Sequence, residues 1–230
     1  MYQSILPWAK ISFSDRWFAD KSVGYEHELL RFMEGNNDCT VDVGAHQGYY
    51  TTFLARYRRH VYAFEPNPEN YVILKGNVEG NGLSNVSLIE KAVSNFDGEG
   101  ILYCYDVNGG QDSGKHFLRG STSKEAFYHE YLNGQPVAAP QWGSKVQVCR
   151  LDSYSIVGCD LIKIDVEGAE VRVLMGAVNL LKNCCPRLVI EVHHGQQKEI
   201  LDVVEPLGYL VTAEGKMRCN TNPFMVCDMK

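Results

Sequence analysis

Apolar residues in this chain fall into short runs separated by longer amphipathic stretches, the alternation expected of β-strands interleaved with helices. Residues 41–43, 61–64, 86–89, 101–105, 161–164 and 188–192 read as short strands, several of them apolar on both faces as buried parallel strands are. Residues 49–58, 68–80, 168–181 and 195–204 read as the helices between them. Asn67 followed by Pro68 marks a helix start, since Asn caps orphan amides and proline suits the first turn. Residues 22–33, with Val23, Leu29, Leu30 and Phe32, predict a helix stopped near Gly35. Residues 209–213 and 225–228 predict a closing antiparallel pair. The pattern gives one α/β domain over 1–230, opened by a helical segment over 1–37.

The alternation breaks over residues 107–145. This stretch is dense in glycine, proline, serine and asparagine, yet it carries Phe117, Phe127, Tyr128, Tyr131 and Trp142. We expect an insertion of loops on the acceptor side, with one helix near 123–132. Loops on a rigid scaffold are where binding specificity usually lives, and the aromatic density argues against disorder.

Composition narrows the partners. The chain has 230 residues and 45% hydrophobic content, enough for one full α/β core. A net charge of −6 disfavours a nucleic-acid backbone as partner. Arg56, Arg58 and Arg59 sit at a predicted helix end, where cations suit the macrodipole. The eight cysteines form no CxxC pair and no His/Cys zinc spacing, which predicts free thiols and a cytoplasmic protein. No apolar run approaches a membrane span, so a membrane partner is not expected.

The richest signal is VDVGAHQGYYT over 41–51, followed by VYAFEPNPEN over 61–70. It reads as strand, glycine turn, helix, strand, acidic residue. Glu65 lies 17 residues after Gly48 and 21 after Gly44, a spacing that places a carboxylate to accept from both hydroxyls of a ribose. The glycines follow GxxxG rather than the GxGxxG of dinucleotide binders, and Asp42 precedes them. A pyrophosphate is therefore poorly served, whereas a cationic ligand is tolerated. S-adenosylmethionine fits, with a ribose for Glu65, a sulfonium and an ammonium, and no phosphate. The bland alternative is an α/β crossover whose glycines only permit close packing.

The phrases VDVGAHQGYYT, VYAFEPNPENYVILKGNVEGN, EKAVSNFDGEG, LIKIDVEGAEVRVLMGA and LVIEVHH, in this order, resemble the FkbM family of S-adenosylmethionine-dependent methyltransferases over about residues 38–209. The resemblance implies a doubly wound, mostly parallel seven-stranded sheet with a reversed last strand, the class I methyltransferase fold. It implies that the segment with Asp42, Gly44, Ala45 and Gly48 cradles the methionine part, and that Glu65 and Pro66 take the ribose. Lys91 and Ala92 would flank the adenine, with Asp165 also at the cofactor. The family's acceptors are mostly hydroxyls on sugars or polyketide-like natural products. His46 and Gln47 stand where Asn-Ile is commoner, leaving the glycine frame intact.

Catalytic candidates come from position. Ligands of open α/β sheets sit beyond the carboxyl ends of the strands. Asp165 ends one apolar strand, and Glu191 and His193 end another. Taken alone, Glu167 reads as the start of a helix and His194 as a loop histidine. Two arrangements suit the trio Asp165, Glu191 and His193. In the first, His193 is a general base for a hydroxyl acceptor, oriented by Glu191 or Asp165. In the second, the three hold Mg²⁺, Mn²⁺ or Zn²⁺, which lowers the acceptor's pKa. The base is the expectation carried forward. Rival functions are transfer to nitrogen or a carboxylate, a non-catalytic cofactor-binding module, and, more distantly, a nicotinamide dehydrogenase.

Overall fold

The structure is a computed structural model that describes residues 1–7, 9–13, 27–34, 38–106, 111–120, 131–132, 135–136, 142–193, 195–216 and 223–230. In chain order, the hairpin β1 (Tyr2–Ile5) and β2 (Lys10–Phe13) precedes α1 (His27–Met33). Then come β3 (Cys39–Val43), α2 (Tyr49–Tyr57), β4 (His60–Phe64), α3 (Pro68–Gly80) and β5 (Val86–Ile89). A second group follows: β6 (Ala92–Val93), β7 (Gly98–Asp106), β8 (Gln111–Gly120), the short pair β9 (Tyr131–Leu132) and β10 (Gln135–Pro136), and β11 (Trp142–Cys149). The α/β alternation resumes with β12 (Cys159–Ile164), α4 (Glu170–Met175), α5 (Val178–Cys184), β13 (Arg187–Glu191) and α6 (Gln197–Val204). It closes with β14 (Tyr209–Lys216) and β15 (Pro223–Met229).

Seven described strands form the main sheet in the order β14-β15-β13-β12-β3-β4-β5. The pairs β13/β12, β12/β3, β3/β4 and β4/β5 are parallel, while β15 runs antiparallel to both neighbours. The reversed last strand is thus inserted between β13 and β14. Strand order reverses between β3 and β12, so the carboxyl ends of β3, β4, β12 and β13 open on the crevice where such sheets bind ligands.

Helices cover both faces, which is why β3 and β12 are buried nearly throughout. Val41, Val43, Ile162, Ile164, Leu188 and Ile190 pack on one side with Val173, Leu174, Leu181, Ile200 and Val204. Leu161, Val189 and Val226 pack on the other with Tyr50, Phe53, Leu54, Leu29 and Met33. Side chains alternate along a strand, so Asp42 and Lys163, each one position out of phase with the first set, face the second layer.

Three expectations change. The N-terminal segment is not simply helical: β1 and β2 form an antiparallel hairpin whose Ile11 and Phe13 are buried against α1 and α2. Two asparagines hold it. Asn77 Oδ1 accepts from the Ser12 amide at 2.7 Å while its Nδ2 donates to the Ser12 carbonyl, and Asn81 does the same for Lys10. Of the expected helix over 22–33, only 27–33 lies within the described residues, and it is helical.

The stretch 107–145 contains strands rather than loops over 111–120 and 142–145. They join β6 and β7 in a second sheet of order β6-β11-β7-β8. The helix expected near 123–132 lies outside the described residues except for 131–132, which belong to β9. Finally, the helix expected over 168–181 is split. Gly176 approaches β6's exit so closely that a Cβ would lie 2.0 Å from the Ser94 carbonyl oxygen. Asp152 restarts the helix by accepting from the amides of Asn179 and Leu180 at 3.0 and 2.9 Å. No helix among the described residues is long and apolar enough to cross a membrane.

Candidate functional site

The turn after β3 is closed by hydrogen bonds to the end of β4 and within itself. The amides of Gly44 and Ala45 both donate to the Phe64 carbonyl, at 3.0 and 2.9 Å, and Gly48 donates to Ala45. The His46 amide donates to Glu65 Oε2 at 2.8 Å, and Glu65 Oε1 accepts from Asn67 at 2.9 Å. Glu65 therefore clamps the glycine turn to the start of α3 while each carboxylate oxygen keeps a further lone pair. Burial pushes its carboxyl up to about 7, against the two amide donors that favour the charged form. Asn77 completes the brace by donating to the Gln47 carbonyl at 2.7 Å, which ties the turn to β2.

Gly44 has φ +79, and a Cβ there would lie 1.8 Å from the Asp165 carbonyl oxygen. Glycine there lets the turn after β3 meet the end of β12. Gly48, at φ +95, opens α2 with Leu74 beneath it.

Asp42 is fully buried under α2. Its Oδ2 accepts from the Thr51 hydroxyl at 2.6 Å, and its Oδ1 lies 3.2 Å from Lys163 Nζ. Lys163 is the register partner of Asp42 on the neighbouring strand, so both side chains emerge together on one face. The same ammonium donates to the Gly44 carbonyl at 2.8 Å and lies 3.6 Å from Asp165 Oδ2. One buried cation thereby joins β3, the glycine turn and the end of β12.

At the ends of β12 and β13 the chemistry is different. His193 is buried, and its Nδ1 lies 2.8 Å from Glu170 Oε1. That oxygen also accepts from the Gly168 amide at 3.0 Å. On the ring's other side, Nε2 lies 3.5 Å from both Glu167 Oε2 and Glu191 Oε1. Asp165, Glu167 and His193 bring one ligand atom each to within 4.8 Å of one another.

Burial opposes charge on the His193 ring, but the Glu170 hydrogen bond and the carboxylates of Glu167, Glu170 and Asp165 outweigh it and raise the ring to about 10. Burial, opposed by His193 and reinforced by Asp165, Glu191 and Glu170, pushes Glu167 up to about 8. A ring held toward its charged form must give up that proton before Nε2 can act either as the general base expected from the sequence or as a metal ligand.

The structure brings the trio Asp165, Glu191 and His193 together, with two changes. The group that orients His193 is Glu170, not Glu191 or Asp165, and Glu167 points into the cluster instead of merely starting a helix. Pro66 and Lys91 are half-buried at the ends of β4 and β5. Ala92 is buried in β6 with Val148 as register partner, and Lys91 Nζ lies 6.0 Å from the Tyr154 ring. His194 lies outside the described residues. Lys163, Glu167 and Glu170 were missed. Their signal was present in IKIDVEGAE: a lysine inside a buried strand, then three acids within six positions.

Residues 42–211 match the model of the methyltransferase FkbM domain. The solved methyltransferase FkbM from Methylobacillus flagellatus KT aligns with a TM-score of 0.57 at 16% identity, covering 89% of this chain and 46% of that one. An rRNA methylase from Streptococcus thermophilus aligns at 0.50 and 15% identity, over 95% of this chain and 100% of its own. SMU.1697c of Streptococcus mutans, solved in complex with SAH (S-adenosylhomocysteine), aligns at 0.50 and 17% identity, over 87% and 93%. At these identities the likeness is one of fold. Among curated proteins, tRNA(Phe) (4-demethylwyosine(37)-C(7)) aminocarboxypropyltransferase of Methanocaldococcus jannaschii is 40% identical over 63 residues. That match spans 26% of this chain and 25% of the relative.

Proposed function

This chain belongs to the FkbM methyltransferase family, and we propose that it moves the methyl group of S-adenosylmethionine to a hydroxyl of a sugar or natural-product acceptor. One observation carries the cofactor reading. The amides of Gly44, Ala45, His46 and Gly48 are all spent on Phe64, Glu65 and Ala45, so these donors are not offered to a pyrophosphate. Glu65 nonetheless keeps carboxylate lone pairs at the ribose position. This combination suits a phosphate-free adenosine better than a dinucleotide. Its buried location gives each hydrogen bond to a ribose hydroxyl more than its worth in water.

On the side we assign to the acceptor, four acidic residues (Asp165, Glu167, Glu170 and Glu191) gather around one imidazole. Such a cluster repels phosphate- and carboxylate-bearing acceptors and tolerates neutral or cationic ones. The RNA named for several relatives is for this reason not carried over, in keeping with the net charge of −6. A neutral hydroxyl is the favoured acceptor, and an amine is the second reading that the same charge permits.

In the reaction itself, the acceptor oxygen attacks the methyl carbon in line with the carbon–sulfur bond. The bond pair returns to sulfur and the hydroxyl proton leaves. The protein's main contribution is alignment, for which the clamped turn and fixed strand ends provide a rigid frame. The test combines calorimetry against S-adenosylmethionine, SAH and NAD with a labelled-methyl screen of sugars, phenols, amines and carboxylic acids. We expect SAH binding and methyl-ether products. NAD binding without S-adenosylmethionine binding would remove the proposal, and label found only in N-methyl products would shift it to amines.

A further inference from the structure

We propose that Asp165, Glu167 and His193 form a binding site for one divalent cation, of the Mn²⁺ or Zn²⁺ kind. Its catalytic use rests on the methyl-transfer reading above, but its existence does not. The donor set mixes an imidazole with two carboxylates, which suits these ions better than the all-oxygen sites of Ca²⁺.

The histidine is arranged as a ligand. Nδ1 is tied to Glu170, which is itself fixed by the Gly168 amide. A carboxylate behind a ring nitrogen is the usual device for aiming the opposite nitrogen at a metal. Here the opposite nitrogen faces Glu167 and Glu191, each at 3.5 Å. That spacing is long for a hydrogen bond but close to the separation of two ligands around an ion bound at about 2.1 Å.

The backbone spends conformational energy to build this arrangement. Glu167 adopts φ +53 and Gly168 φ +102, a left-handed turn that carries the Glu167 carboxylate toward the ring. Asp165, Glu167, Glu170 and Glu191 then gather around one imidazole, with Lys163 Nζ 3.6 Å from Asp165 Oδ2. A divalent ion suits this gathering of acids, whose ligating carboxyl groups ionise on binding it. The cation and the ring proton are alternatives at Nε2, because a ligating imidazole is neutral. Asp165 and Glu167 are partly exposed, with side-chain accessibilities of 26% and 34%, so a bound ion keeps an open face toward the crevice. Three protein ligands plus an open position is the pattern of a catalytic rather than a structural site.

When bound, such an ion supplies Lewis acidity to an acceptor hydroxyl. The balance is simple. The hydroxyl proton passes to water, the C–O bond forms as the C–S bond breaks, and the products are a methyl ether, SAH and one proton.

The experiment titrates Mn²⁺ into the EDTA-treated, desalted full-length protein and follows loss of the free-ion signal by electron paramagnetic resonance, with Zn²⁺ as competitor. We expect one saturable site per chain, displaced by Zn²⁺. Glu167→Gln and His193→Gln should each weaken it at least about tenfold, and Glu170→Gln, which only orients the ring, by about 10–100-fold. Glu79→Gln, an exposed control, should change nothing. Near-UV circular dichroism confirms that each variant is folded, and the wild-type titration stands whatever the variants do. No depletion of free Mn²⁺ or Zn²⁺ by the folded wild type overturns the site, as does unchanged affinity in a folded Glu167→Gln. SAH calorimetry on the same samples separates the two readings. SAH binding without cation binding sinks only the metal site, and cation binding without SAH binding sinks only the methyl-transfer reading.

Discussion

The carboxyl ends of β3 and β4 and those of β12 and β13 lie side by side in one sheet, yet they are held by different forces. The first pair carries a turn whose amides close on neighbouring carbonyls and on Glu65, with Asn77 as an outside brace. Its charges, Asp42 and Lys163, are paired and lie beneath the turn. The second pair gathers acidic groups from two separate strand ends and a helix start around one ring. Backbone closure gives a rigid shape that holds a ligand passively. A gathering of acids around one ring gives a site that favours something positive, whether proton, ion or substrate. The division suits a transferase, where one region fixes the donor and the other handles the acceptor.

The largest effect is expected where the two regions touch. Gly44→Ala places a Cβ against the Asp165 carbonyl and should cost at least about 4 kcal/mol, since backbone must move on both strands. Thermal unfolding by circular dichroism measures it. A Tm within a few degrees of wild type would show that the two strand ends are not locked together.

Next, His193→Gln removes the ring from buried Glu170. Breaking a buried charged pair on one side costs about 3–5 kcal/mol. The double variant with Glu170→Gln should recover at least about 1 kcal/mol of that in a denaturant double-mutant cycle. Strict additivity would mean that the ring and Glu170 are not coupled.

Asn77→Ala should lose about 2–3 kcal/mol, because it strands the Gln47 carbonyl and both backbone groups of Ser12. It should also weaken SAH binding by loosening the turn. If the loss appears in stability alone, the brace serves only the N-terminal hairpin.

The smallest change, about 1–3 kcal/mol in SAH affinity, is expected for Glu65→Gln, which halves the acceptor oxygens available to the ribose and the turn. Its sharper signature is in pH. The Glu65 carboxyl in the folded chain titrates at about 7, above its ordinary 4.5, so between those values the folded state holds more protons than the unfolded one. That group's contribution to the stability of the free protein therefore falls as pH rises from about 4.5 to 7. Ligand affinity should run the other way, dropping by up to about tenfold per pH unit below 7, because the protonated carboxyl loses an acceptor. A flat affinity profile in wild type, identical to that of Glu65→Gln, would remove Glu65 from the ribose.

What the sequence alone determined is whatever depends on neighbours along the chain. The strands β3, β4, β5 and β12, the Asn67 cap with Asn67 Oδ1 accepting from Glu69 and Asn70, and the spacing from the glycine turn to Glu65 all follow from period, capping chemistry and local geometry. The family resemblance added the sheet with its reversed last strand. Only the tertiary structure decided where charges point. Asp42 was read as part of the methionine cradle, and strand pleating sets it under α2, next to a lysine 121 positions away in the chain. Gly44 was read as part of the same cradle, and a side chain there would also meet the Asp165 backbone just past β12. Glu170 was invisible as an orienting group because nothing local distinguishes an acid in a first helical turn from one that is wholly buried. The hairpin at residues 2–13 was equally hidden, since four-residue strands have little period and their partners are two asparagine amides more than sixty residues on. Local pattern encodes conformation, whereas the partner of a buried polar group is chosen by which segments the fold brings within about 3 Å.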